Sequence, residues 1–389
     1  MAPYNFLRIF NSSGVLKAVI TGGGRDPAGI DAHNGFTYLG WRKKVNDIYF
    51  AEFDLNYKNP DVQYLQDKNI IQIVRSDPAI GLNQYVSLTA VIRDTIEYTV
   101  DGVDSIKARA YGGNSLLARR RIAYPADIID RTKFSLTNGE TIMKTLVSYN
   151  CDPALATVAN GRDRDAPTMN MTVQADGTTG STVYGWSCGG RQILLAELQK
   201  LARVAGGDFD VVSTGTNTFE FRFYQGQLGT DRTLGGVQDV MFSILRGNML
   251  NPKLSRLRNS EKTIAIVAGR GQEENRKIAI VEAFSHSDEN DIETFVDARN
   301  VQDDAILDGM GEQALLAAEM RPTLDFTALQ TPLYNVEKDY FLGDLVLAEY
   351  NGLYFSMKVE EITFSYRDGS EDVDVKMSGQ EFDPGGGGT

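Results

Sequence analysis

Two Asp-Gly pairs in this chain, Asp101-Gly102 and Asp368-Gly369, each separate two runs of alternating apolar and polar residues. Alternation with a period of two is typical of half-buried β-strands, and Asp-Gly between such runs favours a tight hairpin turn. Aligning the two pairs superposes four residues of the second hairpin on four of the first: Val373, Val375, Met377 and Gly379 on Ile106, Ala108, Ala110 and Gly112. This alignment predicts that one β unit occurs twice in the chain.

The alignment extends in front of the turns when a shift of one residue is allowed. Val359 and Ile362 then meet Ile92 and Ile96, and residues 345–347 meet residues 71–73. A simpler explanation is that any two hairpins with Asp-Gly turns look alike. If the unit is duplicated, a closed ring of three chains offers six roughly equivalent positions.

Strand patterns are concentrated at the two ends of the chain. Near the start, residues 4–10 and 15–20 flank four turn-forming residues and predict a hairpin. In the last third, strand patterns surround an acidic helical segment at about residues 301–320, which Pro322 ends. Both ends of the chain are therefore expected to form β structure.

Between residues 126 and 235 the period changes to that of helices. Thr137 and Glu140 have the S/T-x-x-E spacing of a capping box, and residues 191–205 form a second amphipathic pattern that Gly206 ends. We predict a mainly β, multidomain fold with two related barrel-like β domains and a smaller helical α+β module. The predicted parts are a first barrel-like β domain (1–125), the α+β insertion module (126–235), a second barrel-like β domain with an acidic helix (236–383) and a flexible Gly-rich tail (384–389).

Charge and cysteine content narrow the possible functions. The 389 residues carry a formal net charge of −13, which opposes specific binding of nucleic acid because such binding depends on clustered Lys and Arg. Cys151 and Cys188 are the only cysteines, so we expect no disulfide framework and folding in a cytoplasm. The chain has no signal-peptide pattern and no apolar run of about 18 residues, so we expect no membrane segment.

The charges are unevenly distributed. Residues 282–312 hold ten acids against one arginine or lysine, Arg299, whereas bases cluster at residues 42–44, at residues 119–121, and at Lys253, Arg256 and Arg258. Solvated faces are one explanation. Our hypothesis is that acidic and basic surfaces of adjacent protomers meet and set their register.

One string matches a catalytic motif. Gly185-Trp186-Ser187-Cys188-Gly189 has the G-x-S-x-G pattern of a nucleophile elbow and precedes a helical segment. A serine hydrolase also needs a base within hydrogen-bond reach, and the histidine that follows Ser187 is His286, in a polar acidic stretch. We therefore expect a Gly-rich turn before a helix, no catalytic residues and no enzyme activity.

The residue types that bind transition metals are few and far apart. His33, His286, Cys151 and Cys188 form no C-x-x-C or H-x-x-x-H pair. The acidic run after His286 lacks the spacing of an EF-hand, and the Gly-rich segments at 22–25 and 269–271 lack the remaining residues of a phosphate-binding loop. We expect neither a metal site nor a cofactor.

Several segments, in order along the chain, resemble the siphovirus tail-hub (baseplate hub) proteins, which are related to the baseplate hubs of contractile-tailed phages. They are the opening hairpin, Tyr38-Leu39-Gly40-Trp41-Arg42-Lys43-Lys44, the strand pattern at 48–55, Asn69-Ile70-Ile71-Gln72-Ile73, Gly112-Gly113, and Phe341-Leu342-Gly343-Asp344-Leu345-Val346 with the Asp-Gly hairpin after it. The likeness covers most of the chain and consists of diffuse patterns without a catalytic string.

The resemblance implies a structural virion protein of the tail tip, assembled in the bacterial cytoplasm. Such hubs are homotrimers with two barrel-like domains per protomer, and they adapt the sixfold tail tube to a threefold tip. The implied partners are a distal tail protein, the tape-measure protein, and receptor-binding or fibre proteins, while DNA passes through the ring without specific binding. Two other functions stay open: a cell-wall-degrading tail enzyme centred on Ser187 or an acidic pair, and a carbohydrate-binding tail protein that uses Trp186 and Tyr184.

Overall fold

The structure is a computed structural model that describes residues 4–22, 35–122, 131–152, 171–190, 192–233, 238–299, 301–320, 323–329, 331, 334–367 and 369–382. Several sequence predictions concern residues wholly or partly outside these ranges: the Gly-rich segment at 22–25, His33, the domain boundary at 125, Pro322, Asp368 and the Gly-rich tail at 384–389. Within them the fold is mainly β, as predicted.

The strands are β1 (Tyr4–Phe10), β2 (Leu16–Thr21), β3 (Phe36–Lys44), β4 (Phe50–Asn56), β5 (Ile70–Asp77), β6 (Leu82–Val100), β7 (Val103–Tyr111), β8 (Arg131–Asn138), β9 (Met171–Val173), β10 (Thr182–Gly189), β11 (Gly207–Ser213), β12 (Phe219–Gln225), β13 (Asp231–Arg232), β14 (Met241–Ser243), β15 (Met249–Ser255), β16 (Ile264–Ala268), β17 (Ile278–Glu282), β18 (Glu293–Asp297), β19 (Thr323–Ala328), β20 (Leu345–Tyr350), β21 (Leu353–Arg367) and β22 (Ser370–Phe382). The α-helices are α1 (Asn114–Ala118), α2 (Gly139–Cys151), α3 (Leu194–Ala205) and α4 (Asp304–Ala317). No helix in the described ranges is both long and apolar enough to span a membrane.

A 14-stranded sheet contains strands from both ends of the chain. Its main path runs β15-β19-β22-β21-β3-β4-β7-β6-β5-β1-β2, with β20 paired to β21 and to the short strands β13 and β14. One hydrophobic core extends under the whole sheet, from Leu7 and Trp41 in the first part to Phe364 and Met377 in the last. The two β segments predicted from the sequence therefore share a sheet and a core, and the boundaries placed at residues 125 and 235 stay predictions.

Five strands of the first β segment recur in the second with the same order and the same sense. The neighbours in the sheet are β5-β6-β7-β4-β3 in one and β20-β21-β22-β19-β15 in the other, and every one of these pairs is antiparallel. Their order along the chain is also the same. We call these two sets of strands the first repeat and the second repeat.

An irregularity at the same place in both long hairpins strengthens the correspondence. Arg93 is the extra residue of a β-bulge between β6 and β7, and Glu360 is the extra residue of a bulge between β21 and β22. Each stands eight residues before the Asp of its Asp-Gly pair. The turn glycines Gly102 and Gly369 both adopt positive φ, 77° and 80°, as such tight hairpin turns require.

The α+β module packs helices α2 and α3 against two small sheets, β10-β8 and β11-β12-β9. Its core includes Leu146 of α2, Leu198 of α3 and Phe221 of β12, all fully buried. α3 ends at Gly206, whose φ of 64° is the left-handed C-cap that the sequence predicts.

A third small unit lies between two strands of the second repeat, β15 and β19. Its sheet has the order β17-β16-β18, and α4 packs on one face of it. The contact is close: a Cβ added to Gly311 of α4 would lie 2.5 Å from the side chain of Val281 on β17. The other side of α4 faces the α+β module, where Gly309 lies against the ring of Tyr184.

The predicted capping box of α2 is wrong. The N-cap residue is Asn138, which makes no side-chain cap bond, and Thr137 lies in β8. The Glu140 carboxylate accepts hydrogen bonds from Lys144, Gly177 and Thr179. Lys144 lies one turn further along α2, and Gly177 and Thr179 belong to a loop distant in sequence. Together these contacts replace the capping bond because they satisfy both carboxylate oxygens.

The predicted Gly-rich turn at residues 185–189 is also wrong. These residues lie inside β10, where Trp186 is opposite Phe134 and Ser187 opposite Lys133 of β8. α3 begins only at Leu194. Pairing with β8 keeps the segment extended despite its glycines.

Candidate assembly interface

The two repeats are joined inside the chain by strand pairing. Residues 361–367 of β21 lie antiparallel to residues 38–44 of β3, with Glu361 opposite Lys44 and Arg367 opposite Tyr38. Beneath this junction the indole of Trp41 stacks on the ring of Phe364, with centroids 4.6 Å apart and an interplanar angle of 12°. We call this contact the internal junction.

A buried cluster of charged side chains fastens the repeats beside the internal junction. The Glu337 carboxylate accepts hydrogen bonds from Lys43 Nζ at 2.8 Å, Arg75 Nη1 at 3.0 Å and Ser87 Oγ at 2.6 Å. Arg75 also pairs with Glu371 of β22, its Nη2 lying 2.5 Å from Oε1. Every charge in the cluster has an oppositely charged partner, which is the arrangement that burial of ions requires.

The cluster keeps its acid ionised. Burial acts to raise the pKa of Glu337, but the charges of Lys43 and Arg75 outweigh burial and hold that pKa below its ordinary value. Burial acts to lower the pKa of Lys43, whereas Glu337 raises it, and the net direction is upward. This cluster could not be predicted from the sequence, because Glu337 is far from its partners along the chain and belongs to no motif.

A second group of polar contacts fixes the α+β module to the main sheet. The Asp208 carboxylate of β11 accepts hydrogen bonds from Asn46 Nδ2 at 2.8 Å and Lys358 Nζ at 2.7 Å. Asp210 of the same strand accepts one from the Tyr49 hydroxyl at 2.9 Å. Burial, and secondly the negative charge of Asp210, raise the pKa of Tyr49 well above its ordinary value, so this phenol stays a donor.

The part of the first repeat that corresponds to the internal junction of the second repeat is a free sheet edge. Beyond its bulge, β6 pairs with β7 on one side through Asp94–Val100 residue by residue, and no described strand pairs with its other side. The corresponding part of β21 is residues 361–367, which pair with β3. Ile96 and Val100 of this edge are 41% and 56% exposed.

The second repeat presents the complementary free edge at β15. Trp41 of β3 lies opposite Ala51 of β4, and Leu254 of β15 lies opposite Leu324 of β19. Because β4 and β19 occupy the same place in the two repeats, β3 and β15 do so too. Within the described part of the chain, β15 pairs with β19 alone. Leu250 is 47% exposed and Leu257, just after the strand, is 70% exposed. The sheet also ends at β2, which has no counterpart in the second repeat.

The basic clusters predicted from the sequence have different surroundings. Residues 42–44 lie in the internal junction, and the side chain of Lys43, 12% exposed, pairs with Glu337, so that cluster joins repeats within one chain. Arg119 donates to the Ser115 hydroxyl within the same protomer. The cluster of Lys253, Arg256 and Arg258 is the one that lies at a free edge.

Ser187 and its neighbours do not have the geometry of a nucleophile elbow. Ser187 is exposed on a strand, and among the described residues no hydrogen bond joins it to a histidine; the Nδ1 atom of His286 lies 3.5 Å from Glu282. Burial, and secondly the charge of Glu197, raise the pKa of the neighbouring Cys188 thiol to about 12. Tyr184 packs against α4, and Trp186 packs against the core of the module.

The described residues contain no group of three or more His, Cys, Asp and Glu side chains that could hold a metal ion. Neither Cys151 nor Cys188 is in a disulfide, and both are buried.

The fold is similar to that of several solved tail proteins. The 43 kDa tail protein of prophage MuSo2 from Shewanella oneidensis superposes with a TM-score of 0.58 at 11% identity, covering 96% of this chain and 97% of that one. The tail protein from Neisseria meningitidis MC58 gives 0.58 at 9% identity, covering 97% of each chain. A chain of the Francisella PdpA–VgrG complex gives 0.52 at 10% identity, covering 97% of this chain and 58% of that one.

Among curated proteins none matches this sequence. A family model described as siphovirus ReqiPepy6 Gp37-like protein matches residues 29–377, which is most of the chain and includes the whole first repeat and most of the second. The chain therefore belongs to the siphovirus ReqiPepy6 Gp37-like family.

Proposed function

We propose that this chain is the hub of a phage tail tip, a structural protein whose three copies close into a ring. Three chains with two repeats each supply six similar units, which adapts a sixfold tail tube to a threefold tip. One observation carries the proposal: each chain forms one junction between repeats internally and, among the residues that the structure describes, leaves both halves of a second such junction unpaired.

The two free edges, on β6 and on β15, correspond to the two strands that pair in the internal junction. The free edge of β6 corresponds to the part of β21 that pairs with β3, and β15 corresponds to β3. β6 of one protomer therefore pairs with β15 of the next, and we call this contact the external junction. Because it is head to tail, its repetition by rotation generates a ring. Pairing also satisfies the exposed backbone groups of both edges.

The internal junction sets the register of the external one. In the internal junction Glu361 lies opposite Lys44, and the corresponding residues of the external junction, Asp94 and Leu257, therefore lie opposite each other. By the same correspondence Thr95 lies opposite Arg256, and Glu97 lies opposite Leu254. In this register Glu97 and Arg256 are diagonal neighbours on one face of the sheet, within reach of each other. Exposed apolar residues of the two edges, among them Ile96 and Leu257, become covered.

The solved structures with the same fold support an assembly role. Two are tail proteins, and the third is a chain of a VgrG complex with a second protein, PdpA. By this analogy we propose a position in the virion, with a distal tail protein, the tape-measure protein and receptor-binding or fibre proteins as partners. The ring surrounds the path of DNA without binding a specific sequence, in keeping with the net charge of −13.

The mass of the native protein tests the ring, and engineered cysteines test the contact that closes it. We expect a native mass near three times 42.9 kDa. In a Thr95→Cys/Arg256→Cys variant, oxidation should link adjacent protomers covalently, because directly opposite residues in antiparallel strands suit a disulfide. The two native cysteines are buried and give little background.

A matched control uses Thr95→Cys with Lys253→Cys, which the predicted register places too far apart to bridge. A protein that stays monomeric at tens of micromolar contradicts the ring. A trimer that links equally well in both variants, or in neither, leaves the ring intact but contradicts the external junction.

A further inference from the structure

The sheet β17-β16-β18 has one covered face and one open face. Ala265, Val267 and Val281 point to α4 and form its core with Leu307. The alternate residues point away from α4. Among these, Ile280 and Phe295 lie opposite Ile266 on either side, so the three side chains form a continuous apolar row across the sheet.

The two outer members of this apolar row are exposed to an unusual degree, whereas Ile266 between them is half-buried. Ile280 is 65% and Phe295 60% exposed, and Ile278 beside them is 52% exposed. The strand sequences Ile264–Ala268 and Ile278–Glu282 are nearly continuous apolar runs, a pattern typical of strands covered on both faces. Contiguous exposed apolar surface of this kind marks an interaction site. We call this surface the open face.

The open face is acidic at one end. Glu282 and Glu293 lie on either side of Ile264 and point to the same side of the sheet as the apolar row. The connection between β17 and β18 adds Asp288, Glu289 and Asp291 at that end. At the other end, Asp297 is paired with Arg276, whose guanidinium also lies 5.8 Å from the Phe295 ring centroid.

We propose that the open face binds an amphipathic helix of another protein, with an apolar stripe over the row and Lys or Arg residues at the end near Glu282 and Glu293. Three strands about 4.8 Å apart make a face about 10 Å wide, which one helix covers. α4 already covers the opposite face in this way. A second helix would complete a three-layer unit and pair the acids with bases.

A second copy of this chain is a poor occupant. Its helices α2 and α3 are buried in the core of the module, and α4 is packed between two sheets. Two open faces brought together would place acids near acids, and Arg276, the base already described on this face, is paired with Asp297. The proposal is independent of the external junction, because neither β6 nor β15 contributes to the open face.

A labelled model helix provides the probe. An 18-residue peptide of Leu and Lys, with Leu at helical spacing and Lys enriched at one end, should bind the full-length protein in a fluorescence anisotropy titration. The Ile280→Ser/Phe295→Ser variant should bind at least tenfold more weakly although all charges are kept. A Leu245→Ser variant is the control, because Leu245 is 91% exposed on another surface and its loss should leave binding unchanged.

A second set of titrations tests whether binding depends on charge. A peptide with Glu in place of Lys should bind at least tenfold more weakly than the Lys peptide, and Glu282→Gln/Glu293→Gln should weaken the Lys peptide several-fold. Far-UV circular dichroism of each variant checks the fold. Equal binding by wild type and the Ile280→Ser/Phe295→Ser variant overturns the proposal, as does a native mass that falls in that variant, because the occupant is then a second copy.

Discussion

Arg75 of the first repeat and Glu371 of the second form a two-point ion pair, with Nη2 to Oε1 at 2.5 Å and Nε to Oε2 at 3.1 Å. Both side chains are less than a tenth exposed. The same guanidinium reaches Glu337 and lies 4.6 Å from the ring centroid of Phe364. Arg75 therefore pairs with two buried acids and packs on the aromatic stack of the internal junction.

Replacing Arg75 should destabilise the protein strongly. Arg75→Met keeps most of the volume but leaves two carboxylates buried with too few partners, and removal of one member of a buried pair costs about 3–5 kcal/mol. Urea unfolding measures the effect. Arg93→Met is the matched control, because Arg93 pairs with Asp67 in solvent, and such pairs contribute about 0–1 kcal/mol. Equal losses in the two variants would show that the cluster does not hold the repeats together.

Glu140 should make part of the stability depend on pH. Burial acts to raise its pKa, but hydrogen bonds from Lys144, Thr179 and Gly177 lower it to about 2. Because the folded value lies below the unfolded value of about 4.3, the stabilisation is complete above about pH 5 and is lost as the pH falls towards 2. Glu140→Gln should cost about 1–3 kcal/mol at pH 7 and flatten the pH dependence in this range. Urea midpoints at pH 3, 5 and 7 test this, and an unchanged slope in the variant contradicts it.

The repeated hairpin could be predicted from the sequence because its signal is local. An Asp-Gly turn and a buried alternation from Val373 to Met377 suffice to align β22 with β7, and strand pairing agrees with that alignment. The bulges at Arg93 and Glu360 left no trace in the pattern of apolar residues. Pairing partners at a distance, such as Glu337 with Arg75, have no local signal at all.

The shift of one residue in the sequence alignment proved unnecessary. Ile362 lies opposite Val375, and Thr95 opposite the corresponding Ala108, so Ile362 corresponds to Thr95 and not to Ile96. Leu345 pairs with Lys358, and Ile70 pairs with Val91. Because Lys358 and Val91 each lie two residues before the bulge of their strand, Leu345 corresponds to Ile70 and not to Ile71. Matching apolar residues failed here because the edge of β21 is covered by β3 whereas that of β6 is open.

Cys188 should be unreactive in the folded protein. Its thiol is buried and, with a pKa of about 12, is almost entirely protonated at pH 8, whereas the thiolate is the reactive form. In a Cys151→Ser variant, a thiol reagent such as 5,5′-dithiobis(2-nitrobenzoate) should label no cysteine in buffer and one in urea. The opposite result, fast labelling of the native variant at pH 8, would mean that Cys188 lies in an accessible, electropositive site.

Charge reversal across the external junction should weaken the ring, and a double reversal should restore it. In the proposed register Glu97 of one protomer lies diagonal to Arg256 of the next, and like charges so placed repel each other. Glu97→Arg and Arg256→Glu should each raise the trimer dissociation constant, and the double variant should return towards wild type. Sedimentation velocity at low salt and at 1 M salt measures both effects, and the single variants should differ less at 1 M because salt screens exposed charges. If the loss of trimer stability in the double variant equals the sum of the losses in the two single variants, the two residues do not interact and the register is wrong.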